Sequence, residues 1–398
     1  MLKKLRYINY GLVFAYTMML NELFMPILPT IAKVYQISPA QVQWFLNMFL
    51  LGSFLGELFI PLIFCLQRVK NQYQKVIYLL IMMLCISLSI HEIGYLLIAR
   101  FITGFCSGSM VSLIRIGVEK KERNISNGYK YAASAKFGCY AICSILNPII
   151  STYAVLYFGL KALFVFLIAI AFLVNNYFTQ LELSWTVVNW QYSDYMKKIK
   201  SLYHNLDILK QAALTGILIA VVYNEVVFSA HYITGHYDQT MTFFACYASL
   251  VASANVLVRF YTPKLMNIFG IKTLHKWGEM VGLLGLLLLC ITYVEDYLPF
   301  YMLGCFCLSL SHNGLFMLIY NKAFDYLAKH YPIVGVSFLG AMLCLFLFVS
   351  SVIFGWLLPF EKTGMITWVM LSILTSFWLL AKFRLPKLNS MPFLKFIK

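Results

Sequence analysis

Apolar residues run through this chain in long blocks, most of 18 residues or more, separated by short polar breaks. A block of that length is enough for a helix to cross a bilayer, at 1.5 Å of rise per residue. The pattern predicts twelve such helices, at about 8–29, 42–64, 75–91, 94–116, 130–155, 159–178, 211–233, 241–261, 277–294, 297–320, 333–358 and 365–382. Only 179–210 is long and polar. It divides the chain into an N-terminal six-helix bundle (1–178), a cytoplasmic linker (179–210) and a C-terminal six-helix bundle with a basic tail (211–398). The fold class is therefore all-α: a polytopic membrane protein with two pseudo-symmetric halves.

Composition agrees. The chain is 61% hydrophobic and 12% charged, against about 25% charged in soluble domains. The formal charge of +16 could suggest nucleic acid, but its distribution excludes that reading. With the N-terminus in the cytoplasm, 26 of the 31 Lys and Arg residues fall on inner segments and three on outer ones. Both termini then lie inside, by the positive-inside rule. The basic N-terminus followed by an apolar run resembles a signal peptide without a small-residue cleavage site, so it reads as an uncleaved first span. The short loops suit a bacterial inner membrane, and a monomer is expected. The ten cysteines are scattered through apolar segments and read as core filler rather than metal ligands.

Charged residues within spans are costly, so they carry the candidate chemistry. Arg100 lies inside the span Tyr95 to Ile116, where a guanidinium costs roughly 2.5–3.5 kcal/mol on insertion scales. Gly104, Ser107, Gly108 and Ser109 follow it at close-packing spacing. Glu22 and Arg100 lie at similar depth, about 10 Å from the outer ends of their spans. Glu22 is the natural partner of Arg100, either as a titrating group in transport or as half of a static ion pair.

Asn21-Glu22 recurs as Asn224-Glu225, fourteen residues into the first helix of each half, which suggests an internal repeat. Glu225 is thus the second half's proton or substrate candidate. Glu57 and Lys136 sit nearer the cytoplasm and either line the cavity or, for Lys136, snorkel to the interface. Tyr140, Tyr223, His312 and Asn313 belong to spans that should flank a cavity. An aromatic cavity suits a small amphipathic or cationic substrate. Walker, zinc-protease, serine-hydrolase and dinucleotide motifs are absent, so neither an enzyme nor a cofactor is expected.

The layout resembles the major facilitator superfamily and, within it, the bicyclomycin-resistance type of twelve-span drug/proton antiporters. N-E-L-F-M-P-I-L-P-T-I, with Pro26 and Pro29, is similar to that family's first-span acid followed by P-x-x-P. R-F-I-T-G is similar to its R-x-x-x-G, with Arg100 and Gly104, and Arg115 matches a basic residue at the inner end of that span. Phe158 to Phe164 is similar to a family stretch before the sixth span. The loop Ile63 to Lys70 lacks the family's acid and glycines. Gly270 belongs to a reduced counterpart of that loop, and of the span-five motif only Pro148 survives.

The resemblance implies proton-coupled efflux, with Glu22 and Arg100 in the coupling. Uptake by symport of a metabolite or metal chelate is the alternative. A non-transporting sensor built on a transporter fold is the alternative of another class.

Overall fold

The computed structural model describes residues 2–63, 69–122, 128–180, 192–331, 334–360, 363–364, 366–371 and 374. Among them there is no strand. Among the described residues, eight helices are long and apolar enough to cross a membrane by length and composition. The twelfth expected span, 365–382, falls largely outside the described residues.

The first span is not one helix. α1 (Leu2–Glu22) stops, residues 23–27 turn, and α2 (Leu28–Tyr35) resumes. Pro26 and Pro29 lack the N–H that a continuing helix requires. Pro29 instead occupies the first turn of α2, where a missing donor costs nothing. The expectation of a continuous span at 8–29 is corrected by these two prolines.

The chain then crosses back and forth: α3 (Pro39–Ile63), α4 (Val69–Ser87), α5 (Ile93–Glu122), α6 (Gly128–Phe158) and α7 (Lys161–Gln180). The face from which α1 rises is the near face, and the other is the far face. α3 and α5 pack most tightly. Gly52 and Gly56 on α3 lie against the Phe101, Phe105 and Ser109 backbone of α5, and Gly104 and Gly108 on α5 lie against the Phe49 and Ser53 backbone of α3. A Cβ at Gly104 would stand 2.1 Å from the Phe49 carbonyl oxygen, and one at Gly108 2.2 Å from that of Ser53. The small residues let the two backbones touch, as their spacing predicts.

A further helix, α8 (Tyr192–Tyr203), lies within the stretch read as linker. Its apolar side packs on the transmembrane helices: Tyr195 and Leu202 are buried, and the Tyr195 hydroxyl donates to the Leu58 carbonyl of α3 at 2.9 Å. Its lysines, Lys197, Lys198 and Lys200, face outward. The period-3.6 pattern is short and carries three lysines, which masked it as a polar loop.

The second group is α9 (Leu206–Gly235), α10 (Met241–Phe269), α11 (Ile271–Glu295), α12 (Leu298–His330) and α13 (Val334–Leu357). Asn205 caps α9 by accepting from the backbone N–H groups of Asp207 and Ile208. Gly270 takes φ +77° between α10 and α11, a conformation open to glycine. The two groups meet chiefly where α3 packs on α13 and α6 on α10.

Candidate functional site

The site begins at the break in α1. Phe24 N–H turns to the Asn21 carbonyl at 3.1 Å, so the Leu20 carbonyl loses its helical donor. Arg100 replaces it. Its Nη1 donates to Leu20 O at 2.8 Å, its Nη2 to Asn21 Oδ1 at 3.0 Å and its Nε to Phe45 O at 3.4 Å. The rings of Phe24, Phe45 and Phe49 surround the guanidinium carbon, with centroids 4.5, 4.5 and 4.7 Å away. Arg100 is 1% exposed. Carbonyl dipoles at a helix C-terminus and π faces both attract a cation, so the charge is stabilised without a carboxylate.

The expected Arg100–Glu22 pair is not formed. Successive helical residues point about 100° apart. Asn21 faces α5, and Glu22 turns to α6. There the Glu22 carboxyl accepts from Tyr140 OH at 2.8 Å, Ser144 Oγ at 3.2 Å and Asn147 Nδ2 at 3.0 Å. Positions 140, 144 and 147 share one helix face. Pro148 follows inside α6 and frees the Ser144 carbonyl from its helical bond.

The second half holds the repeat of this arrangement with different chemistry. Glu225 is buried on α9. Its Oε1 accepts from Ser229 Oγ at 2.8 Å and Tyr247 OH at 2.9 Å, with the Cys305 thiol beside it. Arg100 is the eighth residue of α5, and Cys305 is the eighth of α12. Likewise Phe45 is the seventh of α3 and Tyr247 the seventh of α10. The repeat therefore keeps the acid but replaces the cation with a thiol. Asn224 is fully buried, and neither of its amide atoms finds a hydrogen-bond partner among the described residues.

Among the described residues, four polar contacts tie the halves together, one of them from Ser249 Oγ on α10, which donates to the Ile145 carbonyl of α6 at 2.8 Å. At the centre Asn21 Nδ2 donates to Tyr223 OH at 2.8 Å. Towards the far face Gln43 Nε2 donates to Ser351 Oγ at 2.6 Å. Towards the near face Ser112 and Ser337 hydroxyls lie 2.8 Å apart. The halves thus touch on both sides of the Asn21–Glu22 level.

Glu57, His312 and Asn313 are buried as well. Glu57 is buried in α3, where its main-chain carbonyl lies 3.5 Å from Ser112 Oγ. His312 and Asn313 turn back on their own helix: His312 Nδ1 lies 2.9 Å from Leu308 O, and Asn313 Nδ2 donates to Ser309 O at 2.9 Å. These are bonds to carbonyls one turn earlier on the same helix. Lys136 and Arg115 lie in α6 and α5, with side chains outside the described residues.

The Major Facilitator Superfamily model matches residues 10–336. The chain belongs to the Major Facilitator Superfamily. It is accordingly a multi-pass membrane protein with a transporter fold. No curated protein sequence matches it significantly.

Solved structures of the superfamily are similar along nearly its whole length. A D-xylose–proton symporter matches at TM-score 0.76 and 13% identity, over 94% of this chain and 96% of that one. The xylose transporter XylE from E. coli, partially occluded and inward open, matches at 0.70 and 13%, over 98% of both. A variant of the nucleoside transporter NupG matches at 0.72 and 11%, over 96% of this chain and all of that one. At these identities the likeness is one of fold.

Within this superfamily fold, sequence reasoning missed Ser144, Asn147, Tyr247, Tyr301 and the pairs Gln43–Ser351 and Ser112–Ser337. Their signal was available in part. Each is a polar side chain within an apolar span, where an unsatisfied group is costly. Which of many such residues share a partner depends on helix rotation.

Proposed function

We propose that this chain is a proton-coupled secondary transporter that exports a small amphipathic molecule by alternating access. The observation that carries the reading is the junction at Asn21 and Glu22. Asn21 bonds the other half through Tyr223, and the adjacent Glu22 carboxyl accepts from three donors on α6. A change in the charge of Glu22 alters its bonds to α6, which itself packs on α10 of the other half. Proton binding and the rocking of the halves are thereby coupled through one segment.

Glu22 is the preferred proton carrier and Glu225 the second. Arg100 acts by holding the end of α1 and orienting Asn21, so its part in coupling is one of position. Tyr140, Asn147, Tyr223 and Asn224 supply polar contacts to substrate. The near face is cytoplasmic, which the excess of basic residues there supports. Export as the direction rests on the antiporter-like first and fourth spans. Inward proton flow supplies the energy, about 2.3 kcal/mol per charge for each 100 mV.

The test is transport by the full chain in proteoliposomes under an imposed pH gradient, across a panel of amphipathic cations and polar metabolites. Substrate movement opposite to the protons supports export. Movement with the protons replaces export by uptake. Movement indifferent to the gradient removes the proton from the mechanism.

A further inference from the structure

α8 is amphipathic, and the described residues cover one of its sides. Tyr195 and Leu202 set that buried side. At about 100° per residue, Met196 and Tyr203 stand a quarter-turn from it, and Lys197 and Lys200 point nearly the opposite way. Met196 and Tyr203 are 40% and 51% exposed. The same pairing continues into α9, where Leu206 and Lys210 are exposed one turn apart. Among the described side chains from 193 to 210, the one exposed acid is Asp207. It lies in the first turn of α9, where the helix N-terminus attracts it.

The depth of this flank follows from a hydrogen bond at the centre. Glu225 on α9 and Tyr247 on α10 are level, since the Tyr247 hydroxyl donates to the Glu225 carboxyl. Leu206 lies nineteen residues closer to the near face than Glu225, and Lys264 seventeen closer than Tyr247, or about 28 and 25 Å of helix. Tyr261 and Lys264 are both exposed there, and the ammonium lies 6.0 Å from the ring centroid. Exposed Trp277 packs on Phe269 at 4.9 Å where α10 passes to α11. Aromatic rings and lysines at one level are the composition of a membrane–water boundary. Met196, Tyr203 and Leu206 therefore meet the acyl edge of that boundary and the lysines its headgroups, as in a helix lying in the interface.

α8 also touches both halves. The Tyr195 hydroxyl donates to the Leu58 carbonyl of α3 at 2.9 Å, and Tyr203 meets Phe338 of α13 edge-on, with centroids 5.8 Å apart. Phe338 adjoins Ser337, whose hydroxyl meets that of Ser112 across the near side. Separation of α3 from α13 there pulls α8 off one of them.

We propose that the exposed flank of α8, with Lys197, Lys200 and Lys210, docks on anionic phospholipid headgroups of the bilayer, and that this docking favours the closed near side. A headgroup phosphate is the complement of the lysines. The acyl chains below it cover Met196, Tyr203 and Leu206, which no soluble anion would do. A lipid that binds α8 in its present place stabilises that arrangement by its differential affinity for it. On the reading above that the near face is inside, the headgroups are those of the cytoplasmic leaflet, which carries anionic lipid.

The test adds phosphatidylglycerol, phosphatidylcholine or inorganic phosphate to the full chain in non-ionic detergent. Phosphatidylglycerol should raise the thermal midpoint above that with phosphatidylcholine and stay bound in native mass spectrometry. Joint Lys197→Gln, Lys200→Gln and Lys210→Gln should lose at least half of both effects. Joint Lys264→Gln, Lys272→Gln and Lys276→Gln should keep them. Indifference to the headgroup, or equal loss in the two triple variants, would overturn the site. An equal rise with inorganic phosphate would replace the membrane by a free anion. In nanodiscs, Ser112→Cys with Ser337→Cys should cross-link faster in phosphatidylglycerol than in phosphatidylcholine, and equal rates would overturn the link to the near side. An impermeant maleimide that labels Lys197→Cys only from outside the cell would overturn the cytoplasmic orientation and leave the headgroup contact standing.

Discussion

Arg100 donates to the Leu20 carbonyl at 2.8 Å, and that carbonyl lies in the last turn of a broken helix. The guanidinium thus completes α1 from a neighbouring helix, and its remaining donors fix Asn21 and reach Phe45. A planar fork is suited to this; a point charge on a flexible stem is not. Arg100→Lys keeps the cation and loses at least one of two short charge-assisted bonds. It should destabilise the protein by about 1.5–3 kcal/mol. The loss should appear as a lower thermal midpoint in detergent, and Arg100→Met should be worse. An unchanged midpoint for Arg100→Lys would show that the cap contributes little.

The contact between α3 and α5 gives a second expectation. Gly104→Ala puts a methyl against the Phe49 backbone, which cannot swing aside as a side chain can. Overpacking of this kind costs about 1–3 kcal/mol. Gly94→Ala, on the same helix with nothing within 4 Å of its Cβ, is the control. Size-exclusion profiles after extraction should show aggregation or loss for Gly104→Ala and a wild-type peak for Gly94→Ala.

The near-face contact is open to cross-linking. Ser112 and Ser337 present their hydroxyl oxygens 2.8 Å apart. Ser112→Cys with Ser337→Cys, in a background free of the native cysteines, should form a disulfide under mild oxidant. Mass spectrometry detects the bond directly. Transport should stop when it forms and return on reduction, because the near side can no longer open.

Glu22→Gln retains the shape of the side chain but removes its charge change. Proton-coupled transport should be lost while membrane abundance stays normal. Gln also brings an NH2 group that can serve as a donor only, so at least one of the three α6 donors loses its acceptor. Gradient-driven transport at the wild-type level in Glu22→Gln proteoliposomes would move the proton site elsewhere, with Glu225 next to be tested.

Much of this protein is legible in one dimension. Hydrophobic length gives the helical membrane fold, because a bilayer admits few other structures. The asymmetry of lysine and arginine suggests an orientation. Glycine spacing on α5 gave the close approach to α3, since only small residues permit it. The repeated Asn-Glu dipeptide marked Glu22 and the buried Glu225. Each of these depends on local composition or on the spacing of residues within one helix.

The partners of those residues were decided by tertiary structure. Arg100 and Glu22 share a depth and opposite charges, yet they diverge. Two prolines break α1 and leave a carbonyl that the arginine satisfies, while the next side chain along points to α6. His312 and Asn313 look like cavity residues in sequence, and both bond back to carbonyls of their own helix. Tyr247 and Cys305 gained meaning only when α9, α10 and α12 brought them to Glu225. Depth follows from counting residues along one helix. Contact depends also on how each helix is rotated against its neighbours, and that is settled only when all the helices pack together.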